Sequence, residues 1–273
     1  MATRQQIRRR RRRNLLKLLL TLAVIVAAVI TAVKLHGARS EEGSLAPEQP
    51  AATAPVAETA PTEPAPTQPP RTYTADGHYI QTSVPSWELR LVNPWNPLPE
   101  EYDYEENLAV YSGKNQFDTR AMNALRQMLA AGGEYNLWPV SLYRDYALQT
   151  SLYNRQVAKV QNNYGLTGQE ALDKAATVVA RPGTSEHHTG LAADILGSGF
   201  PSLDEEFEDT PAFAWLKAHC AEYGFILRYT KEKEPVTGVI YEPWHYRYVG
   251  VEAATEIMDR GITLEEYLEE KGL

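Results

Sequence analysis

Two short segments of the chain combine histidine and carboxylate side chains in a pattern suited to metal chemistry. The segment Ser-Glu-His-His-Thr-Gly-Leu-Ala-Ala-Asp contains His187 and ends at Asp194, and the segment Glu-Pro-Trp-His runs from Glu242 to His245. Two histidines and one aspartate match the three protein ligands of a catalytic zinc site, which keeps its fourth position open. Glu242 is then left to act as a base beside a single Zn²⁺.

The chemistry expected of such a set is hydrolysis of a carbonyl compound. Zinc lowers the pKa of bound water from about 16 to about 7, and Glu242 can take the proton as the water attacks. The same carboxylate can later return that proton to a leaving amine. Arg144, at the end of a predicted strand, carries a permanent charge that can bind a substrate carboxylate or stabilise an oxyanion.

Each of these residues also has a structural interpretation. A histidine or aspartate in a strand is more often a hydrogen-bonded structural group than a ligand, so the residues alone leave the metal interpretation open. His188 is expected to lie next to the site without binding metal. Arg144 can equally form a salt bridge with Asp145 or Asp118. Cys220, the one cysteine, is interpreted as a buried small hydrophobe and not as a nucleophile.

The elements that must position these residues follow from hydrophobic periodicity and capping signals. In the first half of the globular part we expect a helix with Asp118 as N-cap that ends at Gly132, a strand from Trp138 to Leu142, an amphipathic helix over 146–164 and a capping-box helix from Thr167 to about Ala180. Helices dominate this half of the chain.

Short strands cluster in the second half. We expect a strand over 191–196 that holds Asp194, a helix capped by Thr210, a hairpin of strands 225–229 and 239–241 that leads into Glu242, and closing helices over 251–260 and 263–270. Helices first and clustered strands later predict an α+β fold with a small antiparallel sheet and flanking helices.

The N-terminal residues are unlike the rest. Six consecutive arginines precede 19 residues, Leu15–Val33, that are apolar except for one lysine and two threonines. That length is close to the roughly 20 residues of a membrane-spanning helix. We therefore predict a basic cytoplasmic tail over 1–14 and a single transmembrane anchor over 15–35, with everything beyond it outside the cytoplasm.

A Pro-rich stretch separates the predicted anchor from the globular residues. Residues 46–70 hold eight prolines among Ala, Thr, Glu and Gln, a composition typical of an extended, disordered spacer. We predict a linker over 36–76 and a catalytic domain over 77–273. The expected location is the cell membrane, with the domain on the cell-wall side.

Charge excludes one class of partner. Residues 1–40 contain ten basic residues and no acidic ones, so the remaining chain carries 17 basic against 35 acidic side chains. Binding to nucleic acid needs a basic footprint, so an acidic domain is not expected to bind it. A monomer is expected.

Several sequence patterns, taken together, are those of a known family. Ser185-x-His187-x-x-Gly190-x-x-x-Asp194, Glu242-x-x-His245 and Arg144-x-x-x-x-Gln149 occur in one order within residues 91–250. This stretch resembles the VanY-type D-alanyl-D-alanine carboxypeptidases, zinc metallopeptidases related to lysostaphin-like enzymes and the hedgehog domain. Two positions depart from the family's pattern, His188 in place of Gln and Thr230 in place of Pro, and they bear on fine specificity.

The resemblance implies a hedgehog/D,D-peptidase-like fold and a role for each site residue. His187, Asp194 and His245 would be the zinc ligands, Glu242 the catalytic base and Arg144 a catalytic residue near the scissile carbonyl or terminal carboxylate. The residues that would bind the substrate are Gln149, Ser185 and Tyr229.

The implied reaction is removal of the terminal D-alanine from peptidoglycan stem peptides. Alternatives on the same stem peptides are an L,D-carboxypeptidase and an endopeptidase, and an alternative of another class is a non-catalytic zinc-binding cell-wall module.

Overall fold

The structure is a computed structural model that describes residues 71–100, 102 and 105–273. The predicted tail, the anchor over 15–35 and the linker up to residue 70 lie outside the described residues. Within the described part, no helix combines the length and the apolar character needed to cross a membrane. The described residues all belong to one unit that extends from Pro64 to Leu273.

Seven α-helices occur among the described residues, together with several short 3₁₀ turns. They are α1 Met122–Ala131, α2 Tyr146–Tyr164, α3 Gly168–Ala176, α4 Pro211–His219, α5 Glu234–Thr237, α6 Val251–Arg260 and α7 Leu264–Lys271.

The described strands form three antiparallel sheets. β1 Thr72–Tyr73 pairs with β2 Tyr79–Ile80, and β3 Leu108–Ser112 pairs with β4 Asn115–Asp118. The largest sheet has four strands in the order β5-β6-β8-β7, formed by β5 Trp138–Ser141, β6 Ala192–Leu196, β7 Phe225–Leu227 and β8 His245–Tyr248. The first of these strands, β1, lies within the last residues of the predicted linker.

Side chains of the two central strands, β6 and β8, point alternately into the hydrophobic core and to the opposite face of the sheet. Ala193 and Ile195 of β6 and Tyr246 of β8 are completely buried in the main hydrophobic core. Because successive side chains of a strand point to opposite faces, Asp194 and His245 lie on the other face. The core that anchors the sheet also receives residues from α1 and α4, among them Leu125, Met128, Phe213 and Leu216.

Two smaller apolar clusters hold the helices that flank the sheet. One joins α6 and α7 to the sheet through Ile257, Leu264 and Leu268 packed with Ile226. The other joins α2 to α3 and includes Tyr153 and Ala171 among its buried residues. A mixed fold of helices and small antiparallel sheets is therefore confirmed.

Helices with strong local signals were predicted correctly. The predicted helix over 146–164 is α2. Asp145 precedes it as the N-cap, and the carboxylate of Asp145 accepts a hydrogen bond from the backbone N–H of Leu148. Thr210 likewise caps α4, with Pro211 in its first turn. Thr263 and Glu266 form a reciprocal capping box at the start of α7. These signals act within a few residues, so the sequence alone specifies them.

Two predicted helix boundaries were wrong. Asp118 ends β4 and does not cap a helix, because its buried carboxylate accepts hydrogen bonds from the side chain and backbone of Arg120, and α1 begins at Met122. Thr167 makes no capping hydrogen bond through its side chain, and α3 ends at Ala176, short of the predicted end near Ala180.

The predicted hairpin was also wrong. β7 pairs with β8, and residues 239–241 form no strand. The backbone N–H of Ile240 donates to the carbonyl of Thr177, and that of Glu242 donates to the carbonyl of Tyr229. A 3₁₀ turn, Lys231–Lys233, and α5 occupy the segment between the two expected strands. Tertiary contacts with the loop after α3 therefore replace the strand pairing.

Gly190 provides a test of how tightly this fold is packed near β6. Its φ is +67°, and an added Cβ would lie 2.7 Å from Leu108 Cδ2 and 3.3 Å from the backbone nitrogen of Asp118. We expect Gly190→Ala to lower the free energy of unfolding by roughly 2–4 kcal/mol, from left-handed strain plus overpacking. Chemical denaturation checks this value.

The matched control is Gly261→Ala. Gly261 has a φ of +62° and nothing within 4 Å of an added Cβ, so only the backbone cost of about 1–2 kcal/mol is expected. Equal losses in the two variants would contradict the close approach at Gly190.

Candidate metal centre

His187 presents one ring nitrogen to the sheet and keeps the other free. It lies in a 3₁₀ turn, Glu186–Thr189, that ends at Gly190. Its Nδ1 is 2.5 Å from the carbonyl oxygen of Leu142, and because a carbonyl can only accept, Nδ1 carries the proton. The buried Nε2 makes no hydrogen bond and lies 3.3 Å from Asp194 Oδ2.

Asp194 and His245 are brought together by strand register. They are directly opposite each other on β6 and β8, and His245 Nδ1 is 3.0 Å from Asp194 Oδ1. The two histidine rings meet edge to face, with centroids 5.0 Å apart. His187, Asp194 and His245 are all buried, and each offers one ligand atom within 4.8 Å of the others.

The donor set fits a zinc ion. A buried imidazole nitrogen without a hydrogen-bond partner is costly unless something binds it, and His187 Nε2 is such an atom. Two imidazoles and one carboxylate are ligand types that zinc takes at catalytic sites. His187, Asp194 and His245 are therefore the residues that would hold the metal, and they are the three that the family resemblance implies.

The pKa values of the three candidate ligands are shifted in different directions. Burial, with the charge of Arg144, lowers the pKa of His187 to about 4, so this imidazole is neutral at physiological pH. Burial would also lower the pKa of His245, but hydrogen bonds with Asp194 and Glu186 raise it to about 9. Burial would raise the pKa of Asp194, yet His187 and His245 hold it below its ordinary value. Because ligands must be deprotonated, a metal held by these residues would displace a proton from His245.

Glu242 lies beside the ligands. Its carboxylate oxygen Oε2 is 3.7 Å from His245 Nδ1, and its side chain is 12% exposed. Burial, together with the charge of Asp194, raises the pKa of Glu242 to about 8 and outweighs the lowering effect of His245 and Arg144. A bound cation would favour the ionised carboxylate. A carboxylate in this position, with little contact with water, could accept a proton from a molecule bound beside the ligands.

Arg144 faces the same space from the end of β5. Its Nη2 is 3.5 Å from Asp194 Oδ2, and its Nη1 donates to Gln149 Oε1 at 3.0 Å. Its ion-pair partner is thus Asp194, and neither Asp145 nor Asp118 takes that place. Burial lowers the pKa of Arg144 despite the nearby carboxylates. The guanidinium still remains charged, because its ordinary pKa is so high.

Gln149 lies behind Arg144. It is completely buried, accepts from Arg144 and donates to the carbonyl of Ala180 at 2.7 Å. It fixes the guanidinium from behind, and it is not among the residues that line the cavity.

A cavity of about 690 Å³ opens over the metal ligands. Ser185 and Tyr229, predicted from the resemblance to bind substrate, line it together with Arg144 and Glu242. The ring of Tyr229 packs against His245, with centroids 4.8 Å apart. Three segments without predicted site residues complete the wall: Val178–Ala180, Leu203–Glu206 and Val239–Tyr241.

Glu186 was not among the residues predicted from the sequence. Its Oε2 lies 3.2 Å from His245 Nε2. Burial would raise the pKa of Glu186, but Arg228 and Arg247 hold it below its ordinary value. The one available signal was an acid directly before His187, and this position reads as a solvated turn residue until the fold buries it.

His188 is buried beside the metal site without joining it, as expected. Its Nδ1 is 2.8 Å from the carbonyl oxygen of Arg144, and its Nε2 accepts from the backbone N–H of Gly183 at 3.1 Å. Both ring nitrogens are therefore occupied by backbone groups.

The fold and the site together define a metal-dependent hydrolase. The family model described as VanY, D-alanyl-D-alanine carboxypeptidase, matches residues 114–251. The chain belongs to this family.

One relative and three solved structures illustrate the likeness. A D-alanyl-D-alanine carboxypeptidase of Enterococcus faecalis is 41% identical over 184 residues, which is 67% of this chain and 66% of the relative. This chain thus spans about two thirds of that relative's length. The VanY D,D-pentapeptidase of the VanB-type vancomycin resistance cassette, solved with Zn(II), is 40% identical with a TM-score of 0.60 over 67% of this chain and 99% of the other.

The other two structures are a complex with D-alanine-D-alanine and an LD-carboxypeptidase. VanYB in complex with D-alanine-D-alanine is 40% identical, with a TM-score of 0.60 over 67% of this chain and 98% of the other. The LdcB LD-carboxypeptidase is 38% identical, with a TM-score of 0.57 over 66% of this chain and 84% of the other.

The ligand assignment predicts which histidine the metal requires. We expect His187→Ala to lose stoichiometric zinc, because one of three protein ligands is removed. His188→Ala is the matched control, since both nitrogens of His188 bond backbone groups, and it should keep one zinc per chain. Equilibrium dialysis followed by metal analysis measures both. Loss of zinc in His188→Ala alone would contradict the assignment.

Proposed function

We propose that this protein is a zinc-dependent D,D-carboxypeptidase that removes the terminal D-alanine from peptidoglycan stem peptides. The observation that carries the proposal is the buried set of His187, Asp194 and His245 beside Glu242, at the base of a cavity. The VanY relatives solved with Zn(II) and with D-alanine-D-alanine support both the metal and the substrate.

Zinc and the carboxylate of Glu242 have different tasks in the proposed reaction. Zinc, when bound, lowers the pKa of water and polarises a carbonyl oxygen. Glu242 accepts the proton of the attacking water at its carboxylate and delivers it to the leaving D-alanine nitrogen. Glu242 can do both because its Oε2 lies 3.7 Å from Nδ1 of the ligand His245. The carboxylate is thus next to the metal ligands but is not one of them.

Arg144 supplies positive charge on the substrate side of the site. Its guanidinium is held by Gln149 and lies 3.5 Å from Asp194, so it stays in one orientation before substrate arrives. A fixed cation in a poorly hydrated site stabilises a terminal carboxylate or a developing oxyanion more than a mobile one does. The terminal carboxylate of a stem peptide matches this charge.

The cavity suits the end of a peptide. Its volume of about 690 Å³ is within the usual range for small-ligand sites. Ser185 and Tyr229 lie on its wall near the ligands and offer hydroxyl groups to the peptide. The apolar wall that includes Val178 and Val179 can contact the alanine methyl groups.

An L,D-carboxypeptidase is the second candidate. The LdcB LD-carboxypeptidase is 38% identical to this chain, so the same site architecture serves that bond in a related protein. An endopeptidase acting within the stem is a further variant of the same site. A non-catalytic zinc module would have no use for a buried carboxylate such as Glu242 beside a complete ligand set.

Defined stem peptides test the activity. We expect the full-length protein to convert pentapeptide to tetrapeptide with release of D-alanine, and a chelator to stop the reaction. Glu242→Gln should lower kcat by roughly 10²–10⁴ while keeping zinc, because a general base is lost. Mass spectrometry of the products measures each outcome.

The same assay separates the candidates. Conversion of tetrapeptide to tripeptide would identify an L,D-enzyme instead. Exposed Glu222→Gln is the matched control, because Glu222 pairs with His219 and does not line the cavity; this variant should turn over at the unmodified rate. Activity that survives both chelation and Glu242→Gln would overturn the mechanism.

We also propose that residues 15–35 anchor the protein in the cell membrane. The 19 residues of Leu15–Val33 and the arginines before them support this orientation. The Pro-rich residues 36–76 then space the domain away from the membrane, towards the cell wall. The tail over 1–14 remains in the cytoplasm.

Cell fractionation tests the anchor. We expect the full chain to sediment with membranes and to be extracted by detergent, because the apolar stretch is long enough to span the bilayer. Deletion of residues 15–35 should move the protein out of that fraction. Protease added to cells without a wall should cleave the domain over 77–273. A full chain that is protected from protease would contradict the orientation.

A further inference from the structure

A buried cluster of four charged residues lies behind His245. Glu186 precedes His187 in its 3₁₀ turn, Arg228 follows β7, Arg247 belongs to β8 and Glu265 lies in the first turn of α7. All four are 2% exposed or less. Two acidic and two basic side chains balance in charge, as burial of ionised groups requires.

The contacts of the cluster run in one direction, from α7 to the metal site. Glu265 accepts two hydrogen bonds from the terminal nitrogens of Arg228, at 2.9 and 2.6 Å, and another from Asn93 at 3.0 Å. Arg228 Nε then donates to Glu186 Oε1 at 2.8 Å. Arg247 Nη1 donates to the same oxygen at 3.0 Å.

Residues 88–90, which precede β3, hold the second arginine of the cluster, Arg247. Arg247 Nη2 donates to the backbone carbonyls of Glu88 at 3.1 Å and Arg90 at 2.8 Å. The family match covers residues 114–251. Three residues of this network therefore lie outside the matched stretch. They are Glu88 and Arg90, whose carbonyls bind Arg247, and the cluster member Glu265.

The two oxygens of Glu186 have separate partners. Oε1 is occupied by both arginines, while Oε2 lies 3.2 Å from His245 Nε2. A carboxylate can only accept, so the Nε2 of His245 carries the hydrogen. The Nδ1 of His245 faces Asp194, 3.0 Å away, and without metal it donates a hydrogen to that carboxylate. Because Nε2 is engaged by Glu186, Nδ1 is the nitrogen that can give up its hydrogen to bind a metal shared with Asp194. His187 has the opposite arrangement, with its Nδ1 bonded to a carbonyl and its Nε2 free.

We propose that Glu186 is a positioning residue that orients His245 to bind the metal through Nδ1, and that Arg228, Arg247 and Glu265 hold Glu186 in place for this task. The proposal rests on the zinc site of the proposed function. A cluster that only stabilised the fold would have no need for a carboxylate oxygen reserved for His245.

The nitrogen assignment can be tested without any substitution in the cluster. In the full-length, zinc-loaded protein labelled with ¹⁵N at histidine, the imidazole spectrum should show His245 protonated at Nε2 and metal-bound at Nδ1. The His245→Gln spectrum identifies the resonances. Metal bound at Nε2 of His245 would overturn the proposal.

Zinc affinity tests the role of the cluster. Loss of groups that orient metal ligands typically weakens metal binding about 10- to 100-fold, and we expect a loss in this range for Glu186→Gln in competition with a chromophoric chelator. Glu265→Gln, at the far end of the cluster, should weaken zinc binding by a smaller factor. The matched control is Glu270→Gln, because Glu270 is exposed on the same helix and pairs with Arg260. It should bind zinc as tightly as the unmodified protein.

Thermal unfolding of the metal-free variants separates positioning from simple stability. A folded Glu186→Gln protein with a lower Tm but unchanged zinc affinity would overturn the proposal. If Glu186→Gln does not fold, Glu265→Gln decides, and unchanged zinc affinity there would overturn it equally. An unmodified protein that binds no zinc would instead refute the proposed function.

Discussion

The antiparallel pairing of β6 with β8 is the constraint on which the site depends. It places Asp194 directly opposite His245 while Ala193, Ile195 and Tyr246 fill the core on the other face. A slip of one residue would move every side chain of a strand to the opposite face, putting a carboxylate into the core. The burial of the apolar residues therefore fixes the positions of Asp194 and His245. The same strand register determines both the packing of the core and the geometry of the metal ligands.

Buried charge is the second constraint. Asp194, Glu186, Arg144 and Arg247 are all largely removed from water, and each would be costly alone. Every one of them has an opposite charge or a histidine within 3.5 Å. Glu242 is different, because burial raises its pKa to about 8. These four residues thus have charged or histidine partners, whereas the pKa of Glu242 lies near neutral pH, where its carboxylate can gain or lose a proton.

Predictions from sequence succeeded where the physical cause was local. The α2 helix and the Thr210 cap of α4 depend on residues within one or two turns, and the chain carries those signals directly. They failed where distant residues compete. Asp118 has the residue type of a cap, but at the end of β4 its backbone N–H donates to the distant carbonyl of Gly190. Residues 239–241 had strand-like composition, but their backbone bonds the loop at Thr177.

The sequence by itself led to the prediction of the metal ligands, the base and the arginine, because residue types and spacing are written in the chain and their pattern resembles that of one family. Only the tertiary structure decided how they are held. Glu186 and His245 are 59 residues apart, and Arg228 and Glu265 are 37 apart. Gln149 likewise is seen to support Arg144 only in the folded chain. Such contacts arise from strand register and helix docking, which depend on the whole core, whereas residue type and spacing are written in the chain.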